Sequence, residues 1–179
     1  RETLHLRIDI PVNALAGVVM RVQVIVFDIR FGTGDSAIFE VTVSERRDLA
    51  LRTTGNDSSP WAGWWSYDLE LTNTGNRGES VALAAADPGS GWAVRITVAG
   101  AQISRVALSP GQAYGLTVWV SAPDLGLAGP YGTTITAEAG AGLVRAQTLA
   151  WALPVYHSVS LQGGPGAAET TGGRTVVWR

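Results

Sequence analysis

Three tryptophans fall within five residues, Trp61-Ala62-Gly63-Trp64-Trp65, and they are the side chains of this sequence best suited to recognising a ligand. A flat indole stacks on a sugar ring or on another apolar face, so an exposed set would mark a binding surface. The competing reading is architectural. In it Trp65 belongs to a strand, Trp61 and Trp64 cover a junction with a neighbouring domain or subunit, and Trp92, which follows a turn, packs into a core. Trp61 and Trp64 are therefore candidate interface or glycan contacts. Trp178, the large residue of the last apolar stretch, is a third.

Covalent and metal chemistry has little to work with. The sequence has no Cys, which excludes disulfides, thiolate metal sites and a cysteine nucleophile. All 13 basic residues are Arg, so a catalytic amine is absent too. Only Arg46 and Arg47 are adjacent, so a GC-rich codon bias explains the choice better than a bidentate anion site does. His5 and His157 lie in unrelated contexts, without the spacing of a helical zinc site or a triad. Asp28, Asp35, Asp57 and Asp87 are scattered in or beside turns and lack the alternation of a calcium loop, so they read as turn caps. Gly32-Thr33-Gly34 and Gly163-Gly164-Pro165-Gly166 lead into no helical pattern and are not phosphate cradles. Asn56-Asp57-Ser58 fits the N-glycosylation pattern. The expectation is a protein that is not an enzyme and needs no cofactor and no metal.

The elements that must position these residues are strands. Apolar and polar residues alternate in short runs broken by Gly, Pro, Asn and Asp, with almost no helical periodicity. The spacing predicts three strands at Leu4–Ile10, Val18–Phe27 and Ser36–Val43, the last two joined by a turn at Gly32–Asp35. It then predicts strands at Leu49–Thr53, Trp65–Thr72, Ser80–Ala86, Ala93–Val98, Ser104–Leu108, Ala113–Ser121, Tyr131–Ala139 and Leu143–Leu153, with Thr54–Trp64 as a loop. Seven or eight strands in about 110 residues is the size of an immunoglobulin-like domain. The net charge of −2 gives no argument for nucleic acid, and no apolar run is long enough to cross a bilayer as a helix.

The sequence also repeats itself. Pro11 and Pro123 are 112 positions apart, as are Leu15-Ala16-Gly17 and Leu127-Ala128-Gly129, and alternating apolar residues run into both prolines. A period of that size is one domain. Three regions follow: 1–46 as the C-terminal part of one repeat, 47–156 as a complete one, and 157–179 as the first strands of another or a donor-strand tail. In the tail, His157–Leu161 and Thr175–Trp178 are the expected strands, linked by a Gly-rich stretch.

The complete repeat carries Leu71-Thr72-Asn73-Thr74-Gly75, then Pro88-Gly89-Ser90-Gly91-Trp92, Leu108-Ser109-Pro110-Gly111-Gln112, Val118–Pro123 and Ala128-Gly129-Pro130-Tyr131. In this order the motifs resemble the immunoglobulin-like domain that accompanies alpha-galactosidases and carbohydrate-binding modules. Similar domains recur as tandem repeats in bacterial and archaeal surface proteins. The resemblance implies a spacer with no catalytic residues. The expected fold class is all-β: tandem immunoglobulin-like antiparallel β-sandwiches, one complete and two partial. The expected role is a non-catalytic structural protein outside the cell, a surface layer, adhesin or filament assembled by strand pairing. Its partners would be other copies of itself or the rest of a longer chain. The alternative is an accessory spacer or glycan-binding region of a secreted carbohydrate-active enzyme.

Overall fold

The computed structural model describes residues 3–124 and 126–155, and the backbone of two short strands at 158–160 and 169–171. The fold is all-β and antiparallel. β1 (Val19–Asp28) and β2 (Thr33–Thr42) form a hairpin of their own. One face carries Met20, Val22, Val24 and Val26 opposite Val41, Phe39, Ala37 and Asp35. None of these eight is fully buried. The turn lies at Ile29–Gly32 rather than Gly32–Asp35. The Asp28 carboxylate accepts the N–H groups of Arg30 (2.8 Å) and Phe31 (3.3 Å), and Gly32 takes φ +64°. An aspartate that satisfies the amides two and three residues on starts the turn itself.

Leu4–Ile10 is not a strand. Its alternation is genuine, but a strand needs an edge to pair with, and no described strand pairs with it. Instead Leu4 and Leu6 sit with Val24, Val26 and Phe39 around a hollow of about 380 Å³ on the hairpin's apolar face. Leu4 remains 71% exposed, so the cover is partial.

The main body follows: β3 (Leu49–Ser59), β4 (Trp64–Asn73), β5 (Glu79–Ala85), β6 (Ala93–Val98), β7 (Ala101–Gln102), β8 (Arg105–Leu108), β9 (Ala113–Ser121), β10 (Gly129–Ala139) and β11 (Leu143–Leu153). One sheet has the order β3-β4-β9-β6-β7, the other β11-β10-β5-β8. Strict alternation sends Trp65, Tyr67, Leu69 and Leu71 of β4 and Leu116, Val118 and Val120 of β9 inward. There they meet Val81, Leu83, Ile135, Ala137, Leu149 and Trp151 of the other sheet in one core. Each large apolar side chain so buried contributes about 1.5–3 kcal/mol. The sheets are also pinned together by polar contacts. Tyr67 Oη donates to the Ala150 carbonyl at 2.6 Å, and Arg145 Nε to the Leu49 carbonyl at 2.8 Å.

That second contact places the start of β3 beside the start of β11. The end of β11, Leu153, lies at the opposite end of the body, beside Trp61 and Gly63. The chain therefore enters at one end and leaves at the other. Beyond it, β12 (Ser158–Ser160) pairs with β13 (Glu169–Thr171). The stretch expected to be an unbroken Gly-rich link thus contains a strand, and that strand pairs within the tail. The expected strand Thr175–Trp178 lies outside the described residues.

Candidate functional site

The stretch expected to be a loop, Thr54–Trp64, is mostly strand. β3 continues to Ser59, paired with Trp64, after a register shift between Thr53 and Gly55. Pro60–Ala62 then form one 3₁₀ turn, closed by Gly63 at φ +68°, a conformation that favours glycine. The turn lifts Trp61 to the tip of the hairpin, where it is 70% exposed. It borders a shallow hollow of about 290 Å³ shared with Pro123, Asp124 and Leu153.

Past the turn, alternation separates the other two tryptophans. Trp65 points inward and is 5% exposed. Its ring lies 5.8 Å from Trp92 and 6.0 Å from Trp151, and Trp92 lies 4.6 Å from Tyr131. These tilted contacts form an aromatic plug across both sheets. Trp65 and Trp92 thus take the architectural roles expected of them. Trp64 points outward, half-buried, and leans on Trp119 of β9 at 5.7 Å with 51° between the planes. The pair forms no flat platform. Trp119, 42% exposed, was missed in the sequence as a surface aromatic. The signal was there, because Val118 and Val120 are inward apolar residues and the residue between them must face out. Trp178 lies outside the described residues.

The four scattered aspartates serve the backbone. Beside Asp28, Asp35 accepts the Ser36 N–H at 2.8 Å, Asp57 that of Ser58 at 2.7 Å, and Asp87 that of Gly89 at 2.9 Å. Asn56 lies exposed on β3, the edge of its sheet. Among the described residues, no group of three or more His, Asp or Glu is placed to hold a metal.

The entry end is built differently. Asn73 is fully buried and uses its whole amide. It donates to the carbonyls of Arg77 (2.7 Å) and Leu108 (3.2 Å) and accepts the Gly75 N–H (3.0 Å). The turn it fixes clamps the chain arriving from β2. Asn76 accepts the Arg46 N–H at 2.7 Å and donates to the Ser44 carbonyl at 2.9 Å, and the Ala16 N–H reaches the Asn76 carbonyl at 3.1 Å. Beside it the Glu79 carboxylate, 2% exposed, accepts a two-pronged bond from Arg47, with Nε at 2.6 Å. The Arg47 hydrogen bond holds the Glu79 carboxyl below the usual carboxylate range.

No family model matches this chain, and no curated protein matches it. Among solved structures it is similar to Escherichia coli alpha-2-macroglobulin activated by porcine elastase, with 14% sequence identity and a TM-score of 0.44. The match covers 83% of this chain and spans 13% of the length of that one.

Proposed function

We propose that this chain belongs to an extracellular, non-catalytic structural protein in which immunoglobulin-like sandwiches follow one another end to end. The observation that carries this reading is the likeness of two hairpins. The inner-face residues Met20, Val22 and Val24 of β1 correspond, 111 positions on, to Tyr131, Thr133 and Ile135 of β10. Phe39 and Val41 of β2 correspond, 110 positions on, to Leu149 and Trp151 of β11. In β10–β11 that face is the core face. The hairpin β1–β2 therefore has the pattern of the closing hairpin of a preceding sandwich. The offset of 112 at Leu-Ala-Gly falls to 111 along β10 and to 110 along β11, so one residue is lost at the start of β10, between Gly129 and Tyr131, and one at the turn.

The strand order supports the immunoglobulin-like assignment. β3-β4-β9-β6 follows the order A-B-E-D of that fold, and β11-β10-β5 follows G-F-C, with β7 and β8 as added edges. Entry and exit at opposite ends suit serial units. The turn at Asn73–Asn76 holds the preceding unit against this one, which makes a stiff joint rather than a free linker. The role is to build length, and strand donation by residues 157–179 is not needed for it. Tryptic shaving of intact source cells tests the location. Peptides from β3–β11 should leave the cells without lysis, and their recovery only after lysis would overturn the proposal.

A further inference from the structure

The outer face of the five-stranded sheet holds a second aromatic feature, independent of the serial arrangement. Trp119 is braced on its β4 side by Trp64. On its β6 side the face drops into a hollow of about 390 Å³, lined by Ala93, Arg95, Thr97, Gly100, Trp119 and Ser121. The hollow exists because of side-chain size. Ala93 stands opposite Ser121, so two small residues flank the indole. Ala99 and Gly100, at φ +48° and +83°, make the tight β6–β7 turn that raises the rim. The volume lies at the small end of ligand pockets, roughly 300–1,000 Å³, and suits one ring rather than a helix or strand.

Its chemistry is one aromatic wall, hydroxyls and one cation. Arg95 is the cross-strand partner of Trp119. Among the described residues it donates to no neighbouring acceptor, whereas Arg47, Arg52, Arg77 and Arg145 each hold a carboxylate. The Thr97 hydroxyl is already spent on the Thr117 carbonyl at 3.1 Å, which leaves Ser121 as the free hydroxyl of the lining. A guanidinium presents a planar fork that fits a carboxylate. An indole presents a flat apolar face that fits the C–H face of a pyranose.

We infer that this hollow binds a sugar ring carrying a carboxylate, a hexuronate unit of an acidic polysaccharide, stacked on Trp119 with its carboxylate on Arg95. Titration calorimetry on the full chain, with Trp fluorescence alongside, tests it. The probes are uronate trisaccharides, their carboxyl-reduced neutral counterparts, and a mononucleotide as a second planar anion. The uronates should bind saturably and quench fluorescence, and the neutral sugars should bind at least tenfold more weakly. Arg95→Gln, a change at an exposed position, should remove that difference without moving the melting temperature. Ala93→Leu, which fills the hollow from outside the core, should abolish binding. Equal binding of acidic and neutral sugars would overturn the inference. So would preference for the mononucleotide, or no saturable uronate binding at about 10 mM.

Discussion

Replacing Asn73 by Ala should cost the sandwich far more stability than the loss of a small polar side chain suggests. The amide makes three hydrogen bonds at 2.7–3.2 Å with no exposure of its own. A bond of this kind is worth about 1 kcal/mol net, and a buried partner left without one costs about 1–3 kcal/mol. The carbonyl of Leu108, a residue 1% exposed, is the group water reaches least. The Gly75 N–H keeps a second acceptor in the Asp48 carbonyl at 3.1 Å, and the Arg77 carbonyl lies in the turn, where water substitutes more easily. The sum is a loss of about 2–4 kcal/mol. Urea unfolding followed by tryptophan emission reads it, because the plug around Trp65, Trp92 and Trp151 is dispersed on unfolding. The midpoint should fall with the slope unchanged. Asn73→Asp sharpens the test. Aspartate keeps the acceptor for Gly75 but turns a carboxylate toward two carbonyls, so it should be worse than Ala near neutral pH and improve on acidification. A change under about 0.5 kcal/mol for Asn73→Ala would refute the reasoning, since it would mean the amide's partners are satisfied without it.

Gly75→Ala should destabilise by about 1–3 kcal/mol in thermal melts, because an added Cβ would sit 2.5 Å from the Arg46 carbonyl oxygen and 2.9 Å from the Asp48 nitrogen, both backbone. Tyr67→Phe should cost about 0.5–1.5 kcal/mol in urea unfolding, by removing the 2.6 Å bond to the Ala150 carbonyl between the sheets. Glu79 titrates lower in the folded than in the unfolded state because Arg47 binds its charged form, so its contribution is present above the ordinary glutamate value of about 4.3 and is lost as pH falls through the folded value. Melting temperatures measured against pH should therefore drop more steeply below pH about 4 for the native chain than for Glu79→Gln, and parallel curves would refute the coupling.

The strands were legible where alternation coincided with a partner strand along the whole run. β6, β9 and β11 run over the residues their pattern gives: β6 and β9 lie between two neighbours, and β11 pairs with β10 along its full length. Leu4–Ile10 shows the same alternation and is not a strand, because pairing is a property of the edge it meets and not of its own residues. β3 ran six residues further than its apolar pattern because polar residues such as Asn56, Asp57 and Ser58 pair well on a solvent-facing edge, where the partner strand fixes the ladder. At the candidate site the inward place of Trp65 on its strand was legible. Trp61 is exposed and Trp65 buried, as type and parity suggest, but Trp64 has its ring partner in Trp119, 55 positions away in sequence and adjacent only through the β4–β9 ladder. Local spacing cannot reveal such a pair. The hollow beside Trp119 was beyond reach for the same reason, since Arg95 and Ala93 reach it from a third strand.

The central claim is that β3–β11 is a closed unit while β1–β2 is the closing hairpin of another. Native-state hydrogen exchange on the full chain tests this most directly, because protection follows the free energy of opening each element. The amides of β4 and β9, paired on both sides over a buried core, should exchange slowest, at the rate of global unfolding. Those of β1 and β2, paired among the described strands only with each other and over a face that is at best half-buried, should exchange orders of magnitude faster. Protection of β1–β2 equal to that of β4 and β9 would contradict the account, because the hairpin would then be part of the same cooperative fold.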